Sequence, residues 1–344
     1  MESFQLEEIT MPPDSRLQWF DFRHAFDSPF MLCATAGIGM LLVLTPIIII
    51  ALKQKGWASE KLYHELMLRY QSWLILVPII LLPILMGAIP TMIGIGLLSL
   101  FCFREYSRAT PLNREIDISA IACLGIVLLT WASLDHWYRL FVALTPLTVC
   151  AIAAVAILRD QPRGYIQRVG LAALGFLLFG SCLGHLGFLA NDPNYRAMLI
   201  LIFLCVQLND VFGFVVGKTL GRRKLAPNTS PGKTTAGAVG ALLLTTLLFF
   251  IMGRFVFSGT NLASAAHLLV LGAMVSLLGQ TGDLMLSSIK RDLEIKDMGT
   301  TIPGHGGFLD RFDSMILVAP AFFHYVNYFV GIGKDTPIRI YTAG

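Results

Sequence analysis

The feature that most constrains this chain is the recurrence of apolar runs about twenty residues long. They cover 30–52, 116–134, 137–158, 166–190, 196–217, 237–257, 263–286 and 312–333. A helix needs ~20 apolar residues to cross the hydrocarbon core of a bilayer. Backbone in lipid must satisfy its own polar groups, so runs of this length predict helices rather than barrel strands. A composition that is 55% hydrophobic and only 14% charged excludes an ordinary soluble domain.

The run from Trp73 to Phe103 is too long for one straight span and carries Pro78, Pro83 and Pro90. Proline removes a backbone donor and disrupts the preceding turn, so the sequence predicts two short helices broken near Gly87–Pro90. Charge placement supports that split, because cytoplasmic loops are rich in Lys and Arg. With the break, the loops 53–72, 104–115, 159–168, 218–236 and 290–311 fall on one side and hold 19 of the 26 basic residues. The expected architecture is all-α and polytopic, with nine to ten spans, both termini outside and a cytoplasm-facing cavity. It comprises an N-terminal membrane region, 1–115, and a C-terminal catalytic region, 116–344. No internal repeat or low-complexity tract is present.

The six cysteines all lie in apolar segments and form no CxxC pair, which argues against a disulfide framework or a zinc site. A net charge of +4 is small, and its basic residues read as topology signals rather than a nucleic-acid surface. The N-terminus is acidic and mixed, unlike a cleaved signal peptide. Its Trp19, Phe20, Phe22 and Phe26 suit the membrane surface.

Polar chemistry gathers in three places. In "GQTGDLMLSSIKRD" (279–292), Asp283 lies inside an apolar helix, where an ionised carboxylate needs a partner, a metal or water. Ser287 and Lys290 follow at i+4 and i+7, on the same face. Asp283 equally suits a plain interhelical ion pair. In "IPGHGGFLDRFDS" (302–314), glycines surround His305 and let backbone N–H groups approach a ligand such as phosphate. Asp310 and Asp313 follow near a helix start, where a carboxylate also serves as a cap, and His305 equally suits a loop hydrogen bond. Asp283 with Asp310 makes an oxygen site for a hard cation such as Mg2+. In "NDVFGFVVGKTLGRRKLAPNTSPGKTTAG" (209–237), Asn209 and Asp210 sit within an apolar helix, and Gly213 and Gly217 form a small-residue face. That face fits internal packing or a homodimer. Ser230, Lys233 and Thr234 occupy a short loop suited to phosphate, although the spacing is not that of a Walker loop. Together these groups predict phosphoryl-type chemistry at a membrane surface.

The stretch from Ser287 to Asp313 resembles the signature of the CDP-diacylglycerol synthase (phosphatidate cytidylyltransferase) family. The matching residues are Ser287, Lys290, Arg291, Lys296, Asp297, Gly299, Pro303, His305, Gly306, Gly307, Asp310, Arg311 and Asp313. The segment "GRRKLAPNTSPGKT" looks like the family's second motif, and "FREYSR" (103–108) like its N-terminal acidic landmark. The resemblance implies a nucleotidyltransferase of the bacterial inner membrane that condenses CTP with phosphatidic acid into CDP-diacylglycerol and pyrophosphate. It implies Mg2+ on Asp283 and Asp310 and admits a second metal ion. By position, Lys290, Arg291, Lys296 and Arg311 become phosphate contacts, His305 and Asp313 belong to the catalytic motif, and Asn209, Asp210, Ser230, Lys233 and Thr234 help hold substrate.

The chain departs from the family's common pattern at three positions. Gly232 stands where a second basic residue is frequent, Ala236 where glutamate is usual, and Leu286 where an acid is usual. Two fewer carboxylates predict a weaker second metal site or altered CTP placement, while the retained aspartates predict an active enzyme. Another lipid phosphate as substrate is the alternative within the class. Outside it stands a transporter or non-catalytic protein on the same scaffold, with Asp210 and Asp283 on an ion path.

Overall fold

The computed structural model describes residues 20–57, 59–302, 306–333, 341 and 342. Trp19 lies outside them, whereas Phe20, Phe22 and Phe26 are exposed. Among the described residues nine helices are long and apolar enough to cross a membrane. They are α1 (Pro29–Gln54), α2 (Glu60–Met86), α3 (Ala88–Ala109), α4 (Ile116–Leu134), α5 (Tyr138–Ile157), α6 (Tyr165–Leu189), α7 (Tyr195–Leu220), α8 (Thr235–Val256) and α9 (Ala265–Asp292). Two shorter helices follow, α10 (Leu309–Phe312) and α11 (Met315–Phe329). The protein is thus an all-α polytopic membrane protein, and most expected spans match closely.

The break after 73 falls where glycine allows it. Gly87 adopts φ 140°, ψ 178°, a region closed to residues with a side chain. Beside it, Thr91 Oγ1 donates to the carbonyls of Pro83 (3.0 Å) and Gly87 (2.7 Å), capturing acceptors at the helix end. The two helices are longer than expected. Residues 60–72, read as loop, form the first turns of α2, with the Ser59 hydroxyl accepting from Leu62 N at 3.3 Å. Prolines 78 and 83 sit inside α2 without ending it.

Two other segments depart from expectation. The last span, read as 312–333, is instead α10, a bend at Asp313–Ser314, and the 15-residue α11. At ~1.5 Å per residue α11 is too short to cross the bilayer core. It is surrounded by protein, with Phe322, Phe323 and Val326 essentially buried. The loop 218–236 contains an antiparallel hairpin, β1 (Lys224–Ala226) and β2 (Ser230–Thr234), paired Lys224 to Thr234 and Ala226 to Ser230.

Hydrogen bonds sort the connections into two ends of the bundle. At one end Arg159 bridges to Glu115 and Asp117, Arg291 donates to Thr229 O, and Lys53 pairs with Glu60. At the other, Asn194 Nδ2 donates to Val256 O, Asn191 Nδ2 to Ser133 O, and Arg196 Nε to Ile84 O. The basic loops therefore share one end, as their charge pattern predicts. The centre is α3, α4 and α6, whose middle turn widens into a π-helical stretch (Phe176–Cys182). The share of buried residues runs from 6% in α1 to 56% in α6, so α1 faces lipid and α6 the core.

Gly213 and Gly217 are used inside the chain. A Cβ at Gly237 of α8 would lie 2.5 Å from Gly213 O and 3.0 Å from the Gly217 Cα. Gly237→Ala is therefore expected to destabilise the protein by about 1–3 kcal/mol, since neither backbone can yield. A lowered melting temperature in detergent checks this, and Gly232→Ala, which faces open space, is the control.

Candidate active site

At the basic end, α7, α9, the hairpin and the α10–α11 bend converge. Helix α9 runs to Asp292, past the end of its apolar run at 286, so Asp283, Ser287 and Lys290 lie on one continuous helical face. Gly282 makes the convergence possible: a Cβ there would lie 2.6 Å from Asp313 O. The bend at Asp313–Ser314 thereby lies directly against α9.

Asp283 carries the first ion pair. Its Oδ2 is 2.6 Å from Lys233 Nζ, and its Oδ1 accepts from Ser287 Oγ at 3.1 Å. The Lys233 ammonium is buried and not aligned for a hydrogen bond, so the contact is one of charge. Asp210 and Asp313 lie within electrostatic reach of Asp283 and of each other. Ser314 Oγ bridges them, 3.4 Å from Asp313 Oδ1 and 3.5 Å from Asp210 Oδ2. Asp313 is buried, while Asp210, in a membrane-spanning helix, is the more exposed residue of the two.

Asp310 belongs to a separate group. Its Oδ1 accepts from Lys290 Nζ at 2.9 Å, and its Oδ2 accepts from Met298 N (2.9 Å) and Gly307 N (3.0 Å). The carboxylate thus fastens the 293–308 connection as well as pairing with a lysine. Arg311 is half-buried, and its Nε has no hydrogen-bond partner among the described residues. A buried donor without an acceptor is costly, and the Arg311 guanidinium lies within electrostatic reach of Asp210.

The remaining candidates divide. Arg291 is exposed and donates to Thr229 O and Ile295 O, each at 3.3 Å, joining the hairpin to the 293–308 connection. Lys296 is exposed and Ser230 half-buried at the hairpin. Thr234 is the N-cap of α8, its hydroxyl accepting from Gly237 N at 3.1 Å. Asn209 is 1% exposed, and its Oδ1 accepts from Thr245 Oγ1 (3.0 Å) and Ser276 Oγ (2.5 Å), tying α7 to α8 and α9. Thr234 thus caps a helix and Asn209 ties helices together in the structure. His305, with Pro303 and Gly304, lies outside the described residues. Leu286 is fully buried among apolar side chains, Gly232 faces open space and Ala236 is half-buried.

The acidic landmark of the sequence has a structural role. Glu105, within "FREYSR" on α3, is buried and accepts three hydrogen bonds from the 301–309 segment. A lone carboxylate next to Cys102, Phe103 and Tyr106 was the available signal.

Asp283, Asp210 and Asp313 outnumber the one lysine paired with Asp283, and their oxygens are the donors a hard divalent cation takes. Among the described residues no three acidic, histidine or cysteine side chains already form a ligating cluster. A Mg2+ ion held by these oxygens would therefore need substrate phosphate and water to complete its shell, as that ion prefers.

Comparison with known proteins agrees with this chemistry. The sequence profile of the Cytidylyltransferase family matches residues 67–329. The chain is 38% identical over 158 residues to the phosphatidate cytidylyltransferase of Rickettsia bellii, covering 45% of this chain and 68% of that protein. It is 31% identical over 211 residues to the phosphatidate cytidylyltransferase of Bacillus subtilis, covering 59% and 77%. It is also 35% identical over 197 residues to the Escherichia coli protein YnbB, covering 56% of this chain and 65%, just under two thirds, of that one.

Proposed function

This chain belongs to the Cytidylyltransferase family and is a membrane-embedded nucleotidyltransferase; we propose that it condenses CTP with phosphatidic acid, releasing CDP-diacylglycerol and pyrophosphate, at a site facing the cytoplasm. The observation that carries this reading is the pairing of Lys233 with Asp283 and of Lys290 with Asp310 at the basic end of the bundle, with Arg311 Nε lacking an acceptor among the described residues. Cations arranged around a polar opening at the membrane surface suit a substrate pair bearing many phosphate oxygens. Bidentate contact through the guanidinium is the strongest of these.

In the reaction a lipid phosphate oxygen attacks the α-phosphorus of CTP, and the bond to the β,γ-pyrophosphate breaks. The lipid phosphate is already ionised, so no residue need remove a proton. Lys233, Lys290 and Arg311 draw the phosphates together and offset their mutual repulsion, which is chiefly positioning and electrostatic stabilisation. Arg291 and Lys296, exposed on the rim, attract the nucleotide into the cleft. Asp283 and Asp310 would hold Mg2+, which when bound would supply Lewis-acid stabilisation of phosphoryl oxygens. Asp210 and Asp313 add negative charge around that position. The basic loops at this end of the bundle support its cytoplasmic orientation in a bacterial inner membrane.

The test is direct. Protein purified in detergent receives Mg2+, labelled CTP and phosphatidic acid, and the lipid fraction is examined for CDP-diacylglycerol. A folded preparation that makes none overturns the proposal.

A further inference from the structure

We propose that Glu105 is a positioning residue: a carboxylate supplied by α3 that holds residues 299–301 and 307–309 where Asp310 and Arg311 meet the substrate phosphates. The proposal rests on the phosphoryl-transfer reading above. Glu105 is only 8% exposed. Its Oε1 accepts from Thr301 Oγ1 (2.7 Å) and Phe308 N (3.1 Å), and its Oε2 accepts from Leu309 N (2.9 Å). These partners lie roughly two hundred residues away in sequence, so the contact is purely tertiary.

The fit around the carboxylate is close. A Cβ at Gly299 would stand 2.9 Å from Oε1, and one at Gly307 would stand 2.7 Å from Cδ. Both glycines are therefore needed for the segment to approach α3. The opposite side of the same segment is held by Asp310 Oδ2 through Met298 N and Gly307 N. Glu105 and Asp310 thus grip it from two sides. Helix α3 is itself fixed one residue on, where Tyr106 OH donates to Leu171 O at 3.1 Å.

The charge matters as well as the shape. A buried carboxylate is costly unless its oxygens are satisfied, and among the described residues no lysine or arginine forms an ion pair with Glu105. Three donors take the place of a cation. A glutamine has one acceptor oxygen and would turn an NH2 group towards Leu309 N–H or towards the other two donors. It would keep the volume and lose part of the grip.

The experiment compares wild-type protein, Glu105→Gln, Glu105→Ala and Gly307→Ala, each full length in detergent. Amide hydrogen exchange is read over 299–301 and 307–309, and kinetics are measured with CTP and phosphatidic acid varied separately. Loss of a hydrogen bond to a charged group corresponds to about a 10-fold change or more. Exchange at Phe308 and Leu309 is therefore expected to quicken by about that factor in Glu105→Gln, with α7 to α9 still protected. KM for CTP is expected to rise about 10-fold while KM for phosphatidic acid stays unchanged. Gly307→Ala, which leaves Glu105 in place, should show the same split. If Glu105→Ala fails to fold, the near-isosteric glutamine variant decides. Unchanged exchange at 308–309, or an equal change in both KM values, overturns the proposal. If wild-type protein makes no CDP-diacylglycerol, the functional reading falls, and the exchange result alone decides for or against the clamp.

Discussion

Asp283→Asn is expected to lower turnover roughly 100- to 1000-fold, the scale of losing several kcal/mol of phosphoryl-charge stabilisation. Asp283 is the carboxylate closest to the convergence of α7, α9 and the bend at 313–314. It pairs with Lys233 at 2.6 Å and shares its surroundings with Asp210 and Asp313. Asparagine keeps the volume and the bond from Ser287, but it removes the charge that anchors the lysine and would hold the metal. The side chain of Asp283 is 23% exposed and the substitution leaves the buried Lys233 ammonium unpaired, so a loss of stability is expected beside the loss of turnover. CDP-diacylglycerol formation at saturating substrate, with a melting curve alongside, separates the two effects. A folded variant that turns over at the wild-type rate would remove Asp283 from the site.

Lys290→Met should act mainly on stability. The ion pair with Asp310 is deep, its side chains 12% and 2% exposed. Removing the ammonium leaves a buried carboxylate with only the N–H groups of Met298 and Gly307. Breaking such a pair from one side costs about 3–5 kcal/mol. The double variant Lys290→Met/Asp310→Asn, which removes the stranded charge, should recover part of that loss. Thermal melting of the four proteins in one cycle measures the coupling. An additive result would mean that the two residues do not depend on each other.

The two substitutions probe groups that were differently visible in the sequence. Apolar runs of bilayer length marked nearly every span, because a helix in lipid leaves a continuous local record. Gly87 marked its break because backbone strain is local too. The apolar run of α9 ends at 286, but the spacing of Asp283, Ser287 and Lys290 already carried the helix beyond it, and the helix runs to Asp292. The hairpin at 224–234 was hidden: Pro and Gly read as turn, and the pairing of Lys224 with Thr234 depends on neighbours.

The site shows the same division. Sequence placed Asp283, Lys290, Asp310 and Arg311 in one neighbourhood by helical spacing and motif, and it anticipated that the carboxylates need cations. Which cation meets which carboxylate could not be read there. Lys233 finds Asp283 across fifty residues, Lys290 finds Asp310, and Glu105 reaches a segment from the other end of the chain. Thr234 and Asn209 look like ligands in a list of polar residues, and the cap and the helix ties they make show only in the structure. By itself the sequence determined that this is a membrane-spanning helical protein with phosphate chemistry at its basic end, because hydropathy, charge and residue type are properties of each position. Only the tertiary structure decided which polar groups face the cleft and which hold the walls. Burial and hydrogen bonding are properties of pairs, and the pairs form only when α3, α7, α8 and α9 come together.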